Sequence, residues 1–368
     1  MRKNNINRFF FVLCLLILGC ANPPKQVNVS VKGVSQYSQW LSYCETPVGI
    51  QFTIKDPEGK QAPRTFLCTK YPEKVGKISA NLEVINTQNV RLATNAATHV
   101  GMLVSLQAQD QVGAVSLGKF LYDPQLKMRF KQGKLLELGN TDIPFESLVK
   151  QGISLWISVG MQPLEDENIK RFESLGITWI PNYDWREMHP LGKAEWILLF
   201  GALTNRFDQA KKTFEAICKR YKAYDNLPKG NACQKVLVGN FAGEFWYAPL
   251  KNSFQAQFLT QVDFCTFTMN YPGTGSMAVG AERVFKEAES CTLWLNPGFS
   301  SKNDILTSFP KASVLRPFKE SRIFCYSHDL NKYWEQSALM PDIVLRDLIR
   351  IKQGQTTTDK LYFYREVL

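Results

Sequence analysis

The side chains best suited to chemistry are aromatic residues in short segments that follow predicted strands. One segment, at 183–186, combines a tyrosine, a tryptophan and an arginine, and a second, at 245–247, holds three aromatic residues in a row. Aromatic rings give flat apolar contact at low entropic cost, and arginine pairs well with carboxylates. The pattern predicts a small-molecule site, whose candidate residues are Thr94, Asn95, Thr98, Tyr183, Trp185, Arg186, Phe245, Trp246, Tyr247, Tyr271 and Phe299.

Motifs for catalysis are missing from the sequence. It contains no nucleophile elbow, no Walker loop, no dinucleotide fingerprint after a strand and no zinc-protease helix. The glycine pair Gly273 and Gly275 lacks the third glycine and the helix that bind a phosphate. These features favour binding over catalysis. An enzyme or chelatase on the same scaffold is the alternative, and turnover of a substrate would support it.

The N-terminus has the pattern of an export signal. Basic residues precede an unbroken apolar run, Phe9–Leu18, which would span only about 15 Å as a helix and is too short to cross a membrane. The run ends in Ile-Leu-Gly-Cys at 17–20, which resembles the lipobox of bacterial lipoproteins. That resemblance implies that residues 1–19 are removed and that a lipid on Cys20 anchors the protein to a membrane, facing the periplasm or the cell exterior. A plain secretory signal is the alternative.

The charge pattern argues against a nucleic-acid partner. The formal net charge of +11 falls to +8 without the signal peptide, which holds three basic residues and no acidic ones. Lysine and arginine are scattered along the chain, with no block of five or more like charges. In an exported protein this charge fits solubility and attraction to anionic ligands or lipid headgroups.

Seven cysteines remain once the signal peptide and Cys20 are set aside, so at least one is free or pairs with another molecule. Export permits disulfides, and the spacing of Cys218 and Cys233 favours a local disulfide. Buried, unpaired thiols are an equal alternative. The sequence contains no C-x-x-C, so neither a zinc knuckle nor a thioredoxin-like site is indicated.

Alternating strands and helices predict an α/β protein with two lobes. From residue 90 onward, short apolar runs alternate with helical patterns, which indicates parallel α/β construction. The pattern stops near 190 and resumes after 230. We predict doubly wound lobes at 90–190 and 228–368, with a ligand cleft between them at the carboxyl ends of the strands.

The segment between the lobes, 191–227, contains no proline, and its apolar residues recur at spacings of three, four and seven. This pattern predicts one amphipathic helix. A helix of this length would reach about 50 Å. We therefore expect a stiff connection between the lobes rather than a swinging hinge.

Residues 20–89 follow a different pattern. After a short tether, apolar and polar side chains alternate on both sides of a turn at Asp56–Gly59. A period of two predicts strands. We expect a β-hairpin extension that packs on the N-terminal lobe.

The two lobes contain matching segments. A helix start with one glutamate, Glu146 in the first lobe and Glu282 in the second, precedes a core strand that begins Leu-Trp. A glutamate in the first turn stabilises a helix through its dipole by about 0.3–1 kcal/mol without any partner. The presence of one such glutamate in each lobe nevertheless favours a shared functional role.

Several stretches together resemble the helical-backbone class of periplasmic solute-binding proteins, which serve ABC importers of ferric siderophores, haem and cobalamin. The first stretch resembles the family's opening strand, loop and helix. The second resembles the entry to its linking helix, and the last resembles the closing helices of iron-complex binders. The resemblance covers roughly residues 90–350. The stretches are Thr94–Val100 with Leu106 and Val112–Val115, then His189–Trp196, the two glutamate-bearing helix starts, and Tyr333–Glu335 with Pro341–Asp347.

The resemblance implies a protein without catalysis or a resident cofactor, which captures a metal chelate between its lobes. An iron complex is favoured, with cobalamin second, and Arg186 could clamp a carboxylate of a citrate-like siderophore or of haem. His189 is predicted to be structural, and His99 could cap a helix or lie in the core instead of facing the cleft. For haem, the candidate axial ligands are His99, His328, Tyr183, Tyr247 and Tyr271.

The resemblance also implies a partner. In the family, one surface glutamate from each lobe docks into arginines of the permease dimer, a charge-assisted contact that gives Glu146 and Glu282 this role. A lipoprotein scaffold with no part in transport is the remaining alternative. It predicts no small-molecule site and a coincidental pair of glutamates.

Overall fold

The computed structural model describes residues 35–76, 81–116, 118–139, 143–160, 164–228, 230–357 and 360–368. The signal peptide, Cys20 and the tether lie outside the described residues. Within the described ranges, none of the helices combines the length and the apolar character needed to cross a membrane.

The N-terminal extension forms a four-stranded sheet, which is larger than the predicted hairpin. Its first three strands are antiparallel, and the fourth runs parallel to the third. The predicted turn at 56–59 joins the second strand to the third, and the carboxylate of Asp56 accepts hydrogen bonds from three backbone N–H groups of the loop. The strands are β1 (Leu41–Thr46), β2 (Gly49–Ile54), β3 (Arg64–Thr69) and β4 (Leu82–Asn86).

The first lobe is a five-stranded parallel sheet in the order β7-β6-β5-β8-β9, which confirms the doubly wound prediction for this lobe. Its strands, except the edge strand β7, are fully or largely buried because helices cover both faces. The elements, in chain order, are β5 (Leu92–Thr94), α1 (Ala97–Ser105), β6 (Val112–Ser116), α2 (Pro124–Lys131), β7 (Leu136–Leu138), α3 (Phe145–Lys150), β8 (Leu155–Val159), α4 (Asp166–Ser174) and β9 (Thr178–Asn182).

The prediction of one long linking helix is wrong. The segment forms three helices, α5 (Pro190–Glu195), α6 (Ile197–Leu203) and α7 (Phe207–Lys222). The chain reverses after α6 at Asn205, whose φ of 60° lies in the left-handed region. Asparagine tolerates this conformation, and its amide here exchanges two hydrogen bonds with Thr87 of the extension. Helices α6 and α7 then pack closely, because a Cβ at Gly201 would collide with Ala210.

The extension is tied to this linker by two buried carboxylates. Glu195 accepts hydrogen bonds from the backbone N–H groups of Gln36, Tyr37 and Ser38 at 2.8–2.9 Å. Glu187 accepts from the Ser38 hydroxyl and from the indole N–H of Trp196. Burial raises the pKa of both carboxyl groups, while these hydrogen bonds act in the opposite direction. The extension is therefore a fixed part of the body.

The second lobe has three small sheets in place of one continuous sheet. Strands β11, β16 and β17 are parallel, β18 joins them antiparallel, β10 pairs with β14, and β12, β13 and β15 form an antiparallel sheet. The elements are β10 (Gln234–Lys235), β11 (Leu237–Val238), β12 (Asn240–Ala242), β13 (Phe245–Pro249), α8 (Phe254–Gln261), β14 (Phe264–Cys265), β15 (Ser276–Val279), α9 (Ala281–Ala288), β16 (Trp294–Leu295), α10 (Lys302–Ser308), α11 (Arg316–Lys319), β17 (Ile323–Cys325), α12 (Leu330–Gln336), α13 (Pro341–Lys352) and β18 (Arg365–Glu366).

The predicted disulfide between Cys218 and Cys233 is also wrong. Cys233 pairs with Cys265, and their Cα atoms are 5.8 Å apart. The parallel pairing of β10 with β14 brings these two residues together, although 32 positions separate them in the sequence. Cys218 is a free, buried thiol on α7.

The lobes meet through the closing helices. Helix α12 packs on α1 so closely that a Cβ at Gly101 would collide with the carbonyl of Glu335. The buried carboxylate of Glu335 accepts hydrogen bonds from the backbone N–H groups of Tyr122 and Asp123, just before α2 in the first lobe. One continuous core of buried apolar residues includes the extension, the first lobe, the linker and part of the second lobe.

Candidate functional site

The first lobe brings three predicted site residues together at the end of β9. Tyr183 follows the strand, and Trp185 and Arg186 lie on the short 3-10 helix after it. Tyr183 is only 7% exposed, because its ring covers the end of β8 at Gly160, where any Cβ would collide with it. The guanidinium carbon of Arg186 lies 5.1 Å from the centre of the Trp185 ring.

The extension supplies the opposite wall of this region, which the sequence did not predict. Asp56, Pro57, Glu58 and Gln61 line a small pocket together with Gly160, Tyr183, Trp185 and Arg186. We call it the first-lobe pocket. The indole N–H of Trp40 in the extension also donates to the carbonyl of Arg186.

The polar groups of the first-lobe pocket are suited to hydrogen-bonding an acceptor-rich ligand. Burial raises the pKa of Tyr183 to about 12, so its phenol stays protonated near neutral pH. Asp56 is occupied by its own loop, and Glu58 pairs with Lys60 at 2.7 Å. The Arg186 guanidinium forms no ion pair with either of these carboxylates, so its donors are free to bind a ligand.

Other first-lobe candidates serve the fold. The hydroxyl of Thr94 and Nδ1 of His99 are 2.6 Å apart, and both side chains are buried. Asn95 accepts a hydrogen bond from the backbone N–H of Val159, and Thr98 is 9% exposed on α1. Burial lowers the pKa of His99 to about 4. The prediction that Thr94 contacts a ligand is wrong, because its side chain is buried. His99 lies in the core, which is one of the alternatives that the sequence left open, and not at the surface as an axial ligand would.

The second-lobe aromatic segment is divided between two faces of a sheet. Phe245 and Tyr247 are 48% and 42% exposed on one face of β13, and we call them the second-lobe face. Trp246 points the other way, is fully buried against Trp294 and donates its indole N–H to the carbonyl of Val238. Its predicted role as a ligand contact is wrong, because successive side chains in a strand alternate between faces.

Tyr271 and Phe299 lie in different places. The backbone N–H of Lys251 donates to the carbonyl of Tyr271, which places Tyr271 beyond the far end of β13, beside Arg283 on α9. Tyr271 is thus not grouped with Phe245. Phe299 is partly buried against the second-lobe core, in a loop that contacts β12.

Within the described ranges, no hydrogen bond, ion pair or ring contact joins the first-lobe pocket to the second-lobe face. In the part of the chain that the structure describes, no group of three or more His, Cys, Asp or Glu side chains could hold a metal ion.

The remaining histidines differ in their surroundings. Nδ1 of His189 accepts a hydrogen bond from the backbone N–H of Leu191, and its ring stacks on Tyr37 at 5.3 Å, which confirms the predicted structural role. His328 is partly buried after β17, and burial lowers its pKa.

The two helix-start glutamates are both exposed. Glu146 lies in the first turn of α3, and Glu282 lies in the first turn of α9. Among the residues that the structure describes, neither carboxylate has a hydrogen bond or ion pair. Glu146 and Glu282 thus each present a carboxylate to solvent from the first turn of a helix, one in each lobe.

Comparison with known proteins extends these observations. No family model matches the chain. A relative, an uncharacterized lipoprotein of Methanocaldococcus jannaschii, is 27% identical over 297 residues, which are 75% of this chain and 68% of the relative.

Solved structures match most of the chain. A possible iron-binding, periplasmic solute-binding protein of Staphylococcus epidermidis is similar at a TM-score of 0.54 and 16% identity, over 71% of this chain and 98% of that one. A periplasmic haem-binding protein of Vibrio cholerae matches at 0.55 and 14%, over 71% and 99%. A periplasmic vitamin B12-binding protein of the same species matches at 0.51 and 12%, over 73% and 98%. The chain therefore has the two-lobe α/β fold of the periplasmic binding proteins, as its sequence resemblance predicted.

Proposed function

We propose that this protein captures a metal chelate outside the cytoplasm and delivers it to the permease of an ABC importer. The favoured cargo is an iron complex, either a ferric siderophore or haem, with cobalamin second. The lipid anchor on Cys20 would keep the protein at the membrane. The structural neighbours include proteins described as binding iron, haem and vitamin B12, which supports the cargo class, and the lipoprotein relative supports the anchor.

The observation that carries the proposal is the pair of exposed carboxylates. Glu146 and Glu282 occupy the same position, the first turn of a surface helix, in two lobes whose sheets otherwise differ. An unpaired carboxylate on each lobe is free to form bidentate hydrogen bonds with an arginine of each permease subunit. Such a two-point contact would orient the cargo relative to the membrane pore.

The cargo would lie between the first-lobe pocket and the second-lobe face. Arg186 and the protonated phenol of Tyr183 would hold acceptor oxygens of the chelate, and Phe245 and Tyr247 would cover its apolar surface. The continuous core across the linker supports only a modest movement of the lobes on binding.

Transport and binding can be tested separately. In cells, the double variant Glu146→Ala/Glu282→Ala should abolish uptake of the cargo. In vitro, the same variant should bind ferric siderophore, haem or cyanocobalamin with unchanged affinity, as followed by tryptophan fluorescence and ligand absorbance. A matched control changes two other exposed glutamates, Glu167→Ala/Glu289→Ala, on α4 and at the end of α9.

Three outcomes of these experiments would contradict the proposal. Normal uptake by the Glu146/Glu282 double variant, or an equal loss in the control, would contradict docking through these residues. Turnover of any of these compounds by the purified protein would favour the enzyme alternative instead.

A further inference from the structure

A second pocket lies where the linker meets the second lobe. It is formed by Lys193 of α5, by Phe254 and Phe258 of α8, and by Tyr333 and Trp334 of α12, and none of these residues lines the first-lobe pocket. Its lining is mainly apolar and aromatic, with one cationic side chain. We call it the lysine pocket.

The ammonium group of Lys193 lacks a hydrogen-bond acceptor. Its side chain is only 9% exposed, and the carboxylate oxygen Oδ2 of Asp184 lies 3.8 Å away, beyond hydrogen-bond distance. Within the described part of the chain, Lys193 donates no side-chain hydrogen bond. An acceptor brought by a ligand would form the hydrogen bond that this ammonium group lacks.

The protein acceptor beside Lys193 is the Asp184 carboxylate, which forms a long ion pair with it. Oδ2 of Asp184 is itself buried without a hydrogen bond, and so are Nε2 of His99 and Nδ2 of Asn182 nearby. The ion pair with Asp184 offsets the lysine charge by Coulomb attraction but leaves the ammonium donors without a hydrogen bond. The lysine nitrogen is accordingly a charged donor at the base of a pocket that opens to solvent.

The walls of the pocket are suited to a flat or apolar body. The ring centre of Phe254 is 4.7 Å from the lysine nitrogen. Tyr333 is held by stacking on Tyr326 at 3.8 Å, while Trp334 remains 37% exposed at the mouth. The space beside Lys193 is narrow, so a ligand would insert its anionic end and keep its body between the rings.

We propose that the lysine pocket binds the carboxylate end of a small planar or apolar acid, with Lys193 as its ion-pair partner and Phe254 and Trp334 as its walls. A charge-assisted hydrogen bond to carboxylate is stronger than one to a neutral acceptor of the same shape. The carboxylate could belong to a free acid or to an arm of the captured chelate. The site itself does not depend on the proposed transport function.

The test uses the full-length protein and two probes of equal shape, benzoate and benzamide, with binding followed by calorimetry and by tryptophan fluorescence. Because a carboxylate accepts a charge-assisted hydrogen bond from Lys193 and benzamide does not, we expect benzoate to bind at least about tenfold more tightly, despite the Asp184 carboxylate nearby. Lys193→Met should reduce benzoate binding at least about tenfold, whereas Lys286→Met, an exposed lysine on α9, should leave it unchanged. Equal affinity for the two probes, or no benzoate binding at millimolar concentration, would overturn the proposal.

Phe254→Leu provides a second variant, which retains Lys193 and its proposed ion pair with benzoate. It should weaken benzoate binding several-fold through loss of the aromatic wall, so the proposal can be tested even if Lys193→Met does not fold. Unchanged benzoate binding by folded Lys193→Met, or by Phe254→Leu, would contradict the site.

Competition between benzoate and the chelate would assign the carboxylate to the cargo, and independent binding would assign it to a separate acid. If the proposed transport function proved wrong, the benzoate result would still stand.

Discussion

The first-lobe pocket and the second-lobe face both contain aromatic segments beside strands, yet the side chains of the two segments are arranged differently. Tyr183, Trp185 and Arg186 lie beyond the end of β9 and converge on one pocket. Phe245 and Tyr247 lie inside β13, so the residue between them is turned into the core. Residues past a strand end can gather on one side, whereas adjacent residues within a strand cannot.

The two regions also differ in chemistry. The first-lobe pocket holds a cationic guanidinium and a protonated phenol, whereas the second-lobe face offers mainly ring surface. We infer that the first region would orient a ligand through hydrogen bonds and that the second would add contact area. Polar contacts of this kind select a ligand, and apolar area mainly strengthens its binding.

The largest expected effect separates Trp246 from its neighbour Tyr247. Trp246→Ala should lower the free energy of unfolding by about 3–5 kcal/mol, because it removes a fully buried ring. Tyr247→Ala should change it by less than about 0.5 kcal/mol, because its ring is 42% exposed. Urea unfolding measures both values. Equal destabilisation by the two variants would contradict the division of β13 into a core face and a ligand face.

A second prediction concerns the contact that holds the lobes together. Burial raises the pKa of Glu335 to about 7 from an ordinary value of 4.5, despite two backbone N–H donors that lower it. The folded protein therefore keeps a proton that the unfolded chain releases between pH 4.5 and 7. The contribution of Glu335 to stability is largest below this range and is lost as the pH rises through about 7, with a total change of about 3 kcal/mol.

The comparison of wild type with Glu335→Gln isolates this contribution. Urea unfolding at pH 5 and at pH 8 should give a difference between the two proteins that changes by about 3 kcal/mol in favour of the variant at the higher pH. The buried His99, whose pKa is lowered to about 4, has the opposite pH dependence but is present in both proteins. A difference that stays constant with pH would show that Glu335 does not titrate in this range.

A smaller effect distinguishes the two arginines near predicted site residues. Arg186→Ala should weaken binding of a carboxylate-bearing chelate by about 1.5–3 kcal/mol, which is the value of a hydrogen bond to a charged group. The matched control is Arg283→Ala beside Tyr271, which should leave affinity unchanged. Tryptophan fluorescence titration gives both affinities. An equal loss in the two variants would place Tyr271 and Arg283 in the site as well.

Local patterns in the sequence predicted the first lobe closely. Asp123 accepts a hydrogen bond from Leu126 at the start of α2, and Gly176, with a φ of 68°, lies just after the end of α4. Such boundaries depend on side-chain capping and on the freedom of glycine, both of which are local properties.

The wrong predictions depend on contacts between distant residues. The linker keeps an apolar period on both sides of Asn205, so its periodicity does not reveal that α7 folds back on α6. Likewise, the disulfide depends on which strand pairs with β10. The wall at Asp56–Gln61 exists only because the extension packs over the end of β9. None of these pairings leaves a periodic signal in the sequence.

The bonds between Glu195 and residues 36–38 set an order for assembly of the chain. Gln36 lies 159 positions before the carboxylate that it binds. During synthesis, the beginning of the extension must wait until the linker has been made before its backbone donors meet these oxygens. Residues 36–38, which are synthesised before nearly all the rest of the described chain, therefore reach their final positions among the last. Such long-range closure slows folding, so we expect the extension to dock in a late phase, after the first-lobe sheet has formed.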